Sequence, residues 1–296
     1  MKATSRHLAA MLVGACACIS ALPAMARQPV RVVAAESSYG SMVQTIGGDH
    51  VHVVSLIDSP AVNPHAFEGT AKIGRELSGA DLVVMNGLGF DHWMDNLLEG
   101  TESESRIVVK AEDAAPSIVL PDKNEHLFYS PRIMLATAGH VEKALAKIDP
   151  DNADAYEKGL DAFAKSLTPI YARVQDLIAH HPDTPIGSTV PVYGYMLALL
   201  GYPEQFHGLS YADMHGTQPS AKQVNEALEA LKGHKVALLV YNVQVTNQLT
   251  DRLVDEAKKA GVPTVGVSAI PLHGEDYAAW QVEQLDAIKK ALDGAS

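Results

Sequence analysis

Cysteine is nearly absent from this 296-residue chain, and its two copies, Cys16 and Cys18, both lie near the N-terminus. They fall in a segment with a basic start, an apolar run and the small-x-small pattern Ala24-Met25-Ala26, which together predict a secretory signal peptide cleaved after Ala26. The mature chain then has no cysteine. This excludes disulfides, thiol catalysis and thiolate metal sites, so a hydrophobic core must stabilise the fold.

The N-terminal segment allows one other interpretation. The run Val13-Gly14-Ala15-Cys16 resembles a lipoprotein processing site, which would attach lipid to Cys16. We rank it second, because it would leave only a short apolar stretch before the cysteine. The segment is also too short and too sharply ended for a membrane span.

Basic residues are few: 23 Lys and Arg stand against 35 Asp and Glu, a formal charge of −12. The first 26 residues hold two of the basic residues and no acidic one, so the remainder carries −14. With no basic cluster, nucleic acid and anionic membrane surfaces are not expected as partners. The balance suits a protein that handles cations, and the length allows one large or two moderate domains.

Common enzyme motifs are missing as well. The chain has no G-x-S-x-G elbow, no Walker A run and no H-E-x-x-H zinc helix. Gly87-Leu88-Gly89 lacks the third glycine of a dinucleotide-binding turn. These absences favour binding over catalysis.

What the chain does contain is a regular alternation of apolar strands with helical segments. Strands separated by helices predict βαβ units and parallel sheets, and therefore an α/β fold. The predicted strands cover residues 30–35, 51–57, 81–85, 106–110, 185–189, 203–207, 235–241 and 263–267.

The alternation is interrupted once, by a long and largely polar helical pattern that has no strand near it. Pro169 should kink this helix or break its hydrogen bonding locally. We therefore predict two α/β lobes with a linking helix between them. The boundaries are a signal peptide at 1–26, an N-terminal lobe at 27–150, the linking helix at 151–182 and a C-terminal lobe at 183–296.

Ligands of open parallel sheets bind beyond the carboxyl ends of the strands, so residues just after strands are the candidates for a site. Histidine recurs there. Pro64 stiffens the loop that carries His65, and His126 lies in a long loop without periodicity. In the second half, His215 and His273 occupy similar places. Neutral imidazoles facing one cleft would suit a divalent transition metal, with zinc the usual match.

Several segments together resemble a known family. They are NPHAFE at 63–68, ADLVVMNGLGFDHWMDNLL at 80–98, EHLFYSPR at 125–132, IDPDNADAYEKGLDAF at 148–163, and the closing pattern with Tyr277 and Trp280. In this order they resemble the solute-binding receptors of zinc and manganese ABC importers, the cluster A-I receptors. The resemblance implies two lobes bridged by one long helix, a metal held in the cleft, and no catalysis. It also implies a periplasmic protein, expected to be monomeric, that passes its ion to an ABC permease in the inner membrane.

The family's first two ligand positions fall on His65 and His126. Its third, a histidine or carboxylate, falls on Val190, and its fourth, a carboxylate, on Ala269. Neither valine nor alanine binds a metal through its side chain.

His215 and His273 are the substitutes we predict, with Glu36, His207 and Glu275 behind them. A site with three or four histidines favours Zn²⁺ or copper over Mn²⁺, which prefers oxygen ligands.

Two other functions remain open. Loss of both second-lobe ligands suits a receptor of the same fold for a metal chelate or other small ligand. A metal-dependent hydrolase with an open zinc position is less favoured, because the sequence shows no general base beside His65 or His126.

Overall fold

The computed structural model describes residues 28–59, 61–214, 217–244, 247–272 and 274–294. Within them the chain forms two sheets of four parallel strands each. The α/β fold with two parallel-sheet lobes is thus confirmed. In these ranges none of the helices has both the length and the apolar character needed to cross a bilayer.

The two sheets have the same topology. The first has the order β2-β1-β3-β4 and the second the order β6-β5-β7-β8. The strands are β1 Val30–Glu36, β2 Val51–Ile57, β3 Leu82–Met85, β4 Ile107–Lys110, β5 Ile186–Ser188, β6 Glu204–Gln205, β7 Leu238–Asn242 and β8 Thr264–Val267. We call β1–β4 with their helices the first lobe and β5–β8 with theirs the second lobe.

Helices cover the sheets and connect them. They are α1 Ser37–Gly47, α2 Ala71–Ser78, α3 His92–Glu99, α4 Ala111–Ala114, α5 Pro131–Ile148, α6 Ala153–Ser166, α7 Thr168–His180, α8 Gly194–Leu200, α9 His207–Met214, α10 Ala221–Lys232, α11 Gln248–Ala260 and α12 Tyr277–Asp293. Capping side chains explain where several of these helices begin. Ser130 caps α5 before a proline at its first position, and Ser220 forms a capping box with Gln223 at the start of α10.

The strands of the first lobe are apolar on both faces, because helices pack on both sides of the sheet. Val32 and Ala34 belong to the large core that α1 and α5 cover, whereas Val33 and Ala35 belong to a smaller core under α2 and α3. This burial leaves only the strand ends and the loops after them free for binding.

The linking segment contains two helices rather than one. α6 ends and α7 begins on either side of Leu167. Pro169 has no N–H to donate to the turn before it, which explains the interruption that its position predicts. Both helices bury residues in the large core, among them Tyr156, Phe163 and Val174.

That core continues across both lobes. The Tyr129 ring lies 5.0 Å from that of Tyr193 and 5.3 Å from that of Trp280, measured between centroids. The Tyr129 hydroxyl is 2.6 Å from both the Ser268 carbonyl oxygen and Gln284 Oε1. The loop just after His126 is therefore anchored in a packed aromatic core shared by the two lobes.

One stretch differs from expectation. We predicted a strand at residues 203–207, but β6 has only two residues, and the helix α9, which we did not predict, begins at His207. Gly208 and the mixed polarity of HGLSYADM hide the helical period. Burial of Leu209 and Tyr211 in the second lobe accounts for the helix, since packing overrides weak local propensity.

Candidate metal centre

His65 lies beyond the carboxyl end of β2, in the short 3₁₀ turn Pro64–Ala66. The Asn63 side-chain oxygen accepts a hydrogen bond of 3.0 Å from the His65 N–H, and Pro64 restricts the backbone of the turn. This local chemistry places the imidazole at the cleft, where it remains about one-third exposed (37%).

His126 is buried, with 3% of its surface exposed. Asn124 Oδ1 lies 2.8 Å from its Nδ1. The Asn124 amide nitrogen donates to the Pro191 carbonyl at 2.7 Å and to the Tyr211 hydroxyl at 3.1 Å, so the amide oxygen must face the imidazole. Nδ1 of His126 therefore carries the proton, which leaves Nε2 with a lone pair for a metal.

Burial, and then the neighbouring His65, hold the pKa of His126 well below its usual value. The imidazole is neutral at physiological pH, and only a neutral imidazole binds a metal ion.

Glu125 is the third group of the cluster. Its Oε1 lies 3.6 Å from His65 Nδ1. Burial, and secondly the charge of Asp91, raise the pKa of Glu125 to about 7. We did not identify Glu125 as a ligand from the sequence, in which we saw no general base beside the two histidines. The structure places its carboxylate next to His65. The adjacency of Glu125 to His126 in a loop was the available signal.

One ligand atom from each of His65, Glu125 and His126 falls within 4.8 Å of the others. Tetrahedral zinc with bonds of about 2.0 Å brings its ligand atoms to roughly 3.3 Å from one another. The three side chains need to converge by roughly 1 Å or a little more to reach that geometry. Rotation of the partly exposed His65 side chain would supply much of this movement.

An aromatic ring supports both imidazoles. The Phe90 centroid lies 5.0 Å from that of His65 and 5.6 Å from that of His126, in edge-on contacts. Phe90 itself is fully buried. It forms an apolar wall that lowers the local dielectric and so strengthens the attraction between a cation and its ligands.

Below the cluster lies a layer of buried polar groups. The Asp91 carboxylate accepts hydrogen bonds from the Asn86 and Gly87 N–H groups at 2.6 and 2.9 Å, while burial raises the pKa of Asp91 to about 6. The Asn86 amide donates to the Glu125 carbonyl at 2.8 Å. Burial, and then Asp91, raise the pKa of Glu36 well above its usual value.

The second lobe completes the walls of the site. The cavity above the cluster, which we call the metal cavity, has a volume of about 350 Å³. Its described lining is Asn63, His65, Gly89, His92, Glu125 and His126 from the first lobe, with Val190, Pro191, Met214 and Asn242 from the second. His92, which our sequence analysis did not consider, lines this cavity but stands outside the three-residue cluster.

The model of one protein family, described as "Zinc-uptake complex component A periplasmic" (ZnuA), matches residues 32–291. The chain belongs to the ZnuA family. The family resemblance predicted from the sequence motifs is thereby confirmed.

Individual relatives have low sequence identity to this chain but match most of its length. The manganese-binding lipoprotein MntA of Bacillus subtilis is 23% identical over 244 residues, covering 80% of this chain and 78% of MntA. The iron-binding protein YfeA of Yersinia pestis is 21% identical, covering 83% of this chain and 78% of YfeA. The solved structure of the periplasmic zinc-binding protein TroA of Treponema pallidum matches with a TM-score of 0.75 and 20% identity, covering 90% of this chain and 99% of TroA. The structural match shows a shared fold.

Val190 and Ala269, the second-lobe positions to which the resemblance assigns ligands, both lie within the described residues. Val190 lines the metal cavity without offering a ligand atom. Ala269 is buried, and its N–H donates to Gln244 Oε1 at 2.6 Å. The predicted substitutes His215 and His273 lie outside the described residues.

The three further ligand candidates from the sequence, Glu36, His207 and Glu275, are not part of the cluster of His65, Glu125 and His126. Glu36 is fully buried at the end of β1. His207 is exposed on α9, where its Nε2 lies 3.7 Å from Asp122 Oδ2. Glu275 lies in the loop before α12 and is only partly buried.

Proposed function

We propose that the protein is the metal-binding receptor of an ABC importer, in which His65, Glu125 and His126 hold one divalent transition-metal ion in the cleft. The convergence of these three ligand atoms within 4.8 Å, beside Phe90 and above a hydrogen-bonded layer, is the observation that supports the proposal. Proteins similar to this chain carry names that specify manganese, iron or zinc binding. The receptor would work in the periplasm and release its ion to the inner-membrane permease.

We infer that zinc is the preferred ion, with copper and Mn²⁺ less favoured. Two imidazoles and one carboxylate form the mixed nitrogen and oxygen set that zinc accepts, whereas Mn²⁺ prefers oxygen ligands. The chemistry of the cluster, rather than the names of relatives, supports this choice.

Calorimetry with zinc on the chain from residue 27 onward tests the proposal. We expect one ion per monomer, and loss of binding in the His65→Ala/His126→Ala double variant. His140→Ala, an exposed change on α5, serves as the control and should bind like the wild type. Failure of the wild-type protein to bind zinc, manganese or copper would refute a metal receptor; a preference for manganese would refute only the choice of ion.

Transport rather than catalysis is part of the same proposal. Glu125 does place a potential base beside the histidines, so the hydrolase alternative can be tested directly. We expect zinc-loaded protein to show no hydrolysis of nitrophenyl esters or phosphates above that of the double variant.

Size-exclusion chromatography of the zinc-loaded protein should show a monomer.

A receptor for a chelated metal is the second candidate. It is favoured by one observation: the described second-lobe wall of the metal cavity contains no imidazole and no carboxylate, only Val190, Pro191, Met214 and Asn242.

A further inference from the structure

A second cavity adjoins the metal cavity within the second lobe. Its volume is about 690 Å³, against about 350 Å³ for the metal cavity. Residues just after β5, the segment before α10 and the first turns of α11 form most of its wall. We call it the second-lobe cavity. Its size lies within the range of small-molecule binding pockets.

One wall of this cavity, at Thr189 and Val190, lies just beyond the carboxyl end of β5, where open α/β sheets bind ligands. β5 and β7 are neighbours in the sheet, while the chain leaves them toward opposite edges. The carboxyl ends of two such strands form a crevice that favours binding. In the first lobe the corresponding crevice, between β1 and β3, is filled by the buried residues Glu36, Tyr39 and Asn86.

The lining favours an anion. Among the described residues that form it, Arg252 is the single charged side chain and none is acidic, although the whole chain carries −12. Arg252 is exposed and makes no ion pair with any residue in the described ranges. The guanidinium group presents paired N–H donors that match a carboxylate.

Neutral polar groups add to this chemistry. Thr189 is 6% exposed, and its hydroxyl has no hydrogen-bond partner in the described part of the chain. Gln218 and Gln248 lie on the same wall, next to Asn247, whose side chain caps α11 by accepting a hydrogen bond from the Thr250 N–H. Val224 and Leu253 provide apolar surface for a carbon skeleton.

Val190 lines both cavities. The described cluster offers three ligand atoms, and tetrahedral zinc needs a fourth. Val190, whose side chain has no donor atom, therefore stands between the three ligand groups and the second-lobe cavity.

We propose that the second-lobe cavity binds a small organic acid, one carboxylate of which pairs with Arg252 while another donor group of the same molecule passes Val190 and completes the coordination of the metal. The inference rests on the proposed function, because it requires a metal at His65, Glu125 and His126. The bound species would then be a complex of the metal with a carboxylate ligand rather than the free ion.

Equilibrium dialysis with zinc and radiolabelled citrate, malate or histidine tests this inference on the chain from residue 27. We expect one of these acids to be retained together with zinc, in a ratio of one acid to one ion, and not without zinc. Arg252→Met should weaken its retention by about tenfold or more, since a charge-assisted pair is lost. Val224→Trp, which fills the cavity, should have the same effect.

Arg75→Met, an exposed arginine on α2 in the first lobe, is the matched control and should retain the acid like the wild type. Retention of none of the three acids, or retention that is unchanged in both Arg252→Met and Val224→Trp, would overturn the inference. Zinc binding in buffer without organic acid is recorded in parallel. If zinc binds there and no acid is retained, only this inference falls; if zinc binds in neither condition, the proposed function falls as well.

Discussion

The two lobes share one strand order but differ in what stands at the carboxyl ends of their strands. In the first lobe, Glu36 ends β1, His65 follows β2, and Glu125 and His126 lie in the long segment between α4 and α5. In the second lobe, the described residue after β5 is Thr189, and Val190 comes next. The common topology determines where a site can form, whereas the loop residues decide its chemistry.

Because of this difference, all three ligand groups of the described metal centre belong to the first lobe. In a receptor with ligands on both lobes, the bound ion itself would hold the lobes together. Here Asn124 provides a link without the metal, because it holds His126 on one side and the Pro191 carbonyl and Tyr211 hydroxyl of the second lobe on the other. The orientation of His126 in the first lobe therefore depends on contacts that Asn124 makes with the second lobe.

The largest effect should come from replacing the buried carboxyl group of Glu36 in the first lobe. Glu36 is fully buried, and its carboxylate has no hydrogen-bond partner among the described residues. Its raised pKa means that the native state holds a proton which the unfolded state loses above pH 4.5, so the native protein loses stability as pH rises.

Glu36→Gln should therefore lose less stability than the wild type between pH 4.5 and pH 8, because it has no carboxyl group to ionise. Urea unfolding of metal-free protein at both pH values measures this. Glu99→Gln, at the exposed end of α3, is the control. A constant difference across pH would show that Glu36 does not titrate as we describe.

Removing the link between the lobes should weaken the metal site next most strongly. Asn124→Ala leaves His126 without its orienting acceptor, and we expect zinc affinity to fall by roughly 10- to 100-fold. Asn124→Asp keeps the acceptor for His126 but loses both donors to the second lobe. The zinc affinity of Asn124→Asp shows whether binding depends more on the orientation of the imidazole or on the contact between the lobes. Asn96→Ala, an exposed change on α3, is the control. Unchanged affinity in Asn124→Ala would refute the link.

Adding a metal ligand to the second lobe should make the two lobes more alike in how they bind the ion. Val190→His places an imidazole at the wall shared by both cavities, where it can complete the tetrahedral set. We expect zinc affinity to rise by at least about tenfold, or ~1.4 kcal/mol. Retention of an organic acid should fall in the same variant, because the fourth position is taken. Val243→His, at the exposed end of β7, should change neither quantity.

The smallest predicted effect concerns pH. With a pKa of about 7, Glu125 must release a proton before it binds an ion, so lower pH weakens binding. Between pH 7.5 and 6.5 this group alone should lower zinc affinity by about threefold. Calorimetry of Glu125→Gln at both pH values should show a correspondingly smaller pH dependence than the wild type. An equal dependence would mean that Glu125 does not bind the ion.

Much of the fold could be predicted because it depends on short-range patterns. β2 covers the predicted residues 51–57, and Ser130 and Ser220 start helices as their side chains indicate. α9 was missed because its stability comes from burial of Leu209 and Tyr211 rather than from a local period. Boundaries set by local capping and turn chemistry were therefore predictable, and those set by packing were not.

For the candidate site, the sequence by itself determined the two histidines, the stiff Pro64 turn and the lack of a side-chain donor at Val190, because residue type and local backbone chemistry are enough for these. Only the tertiary structure brought Glu125 beside His65, selected the tautomer of His126 through Asn124, and raised the pKa values of Glu36, Asp91 and Glu125. The physical reason is that contact across the lobes and removal of water depend on how distant segments pack, which no short stretch of sequence specifies.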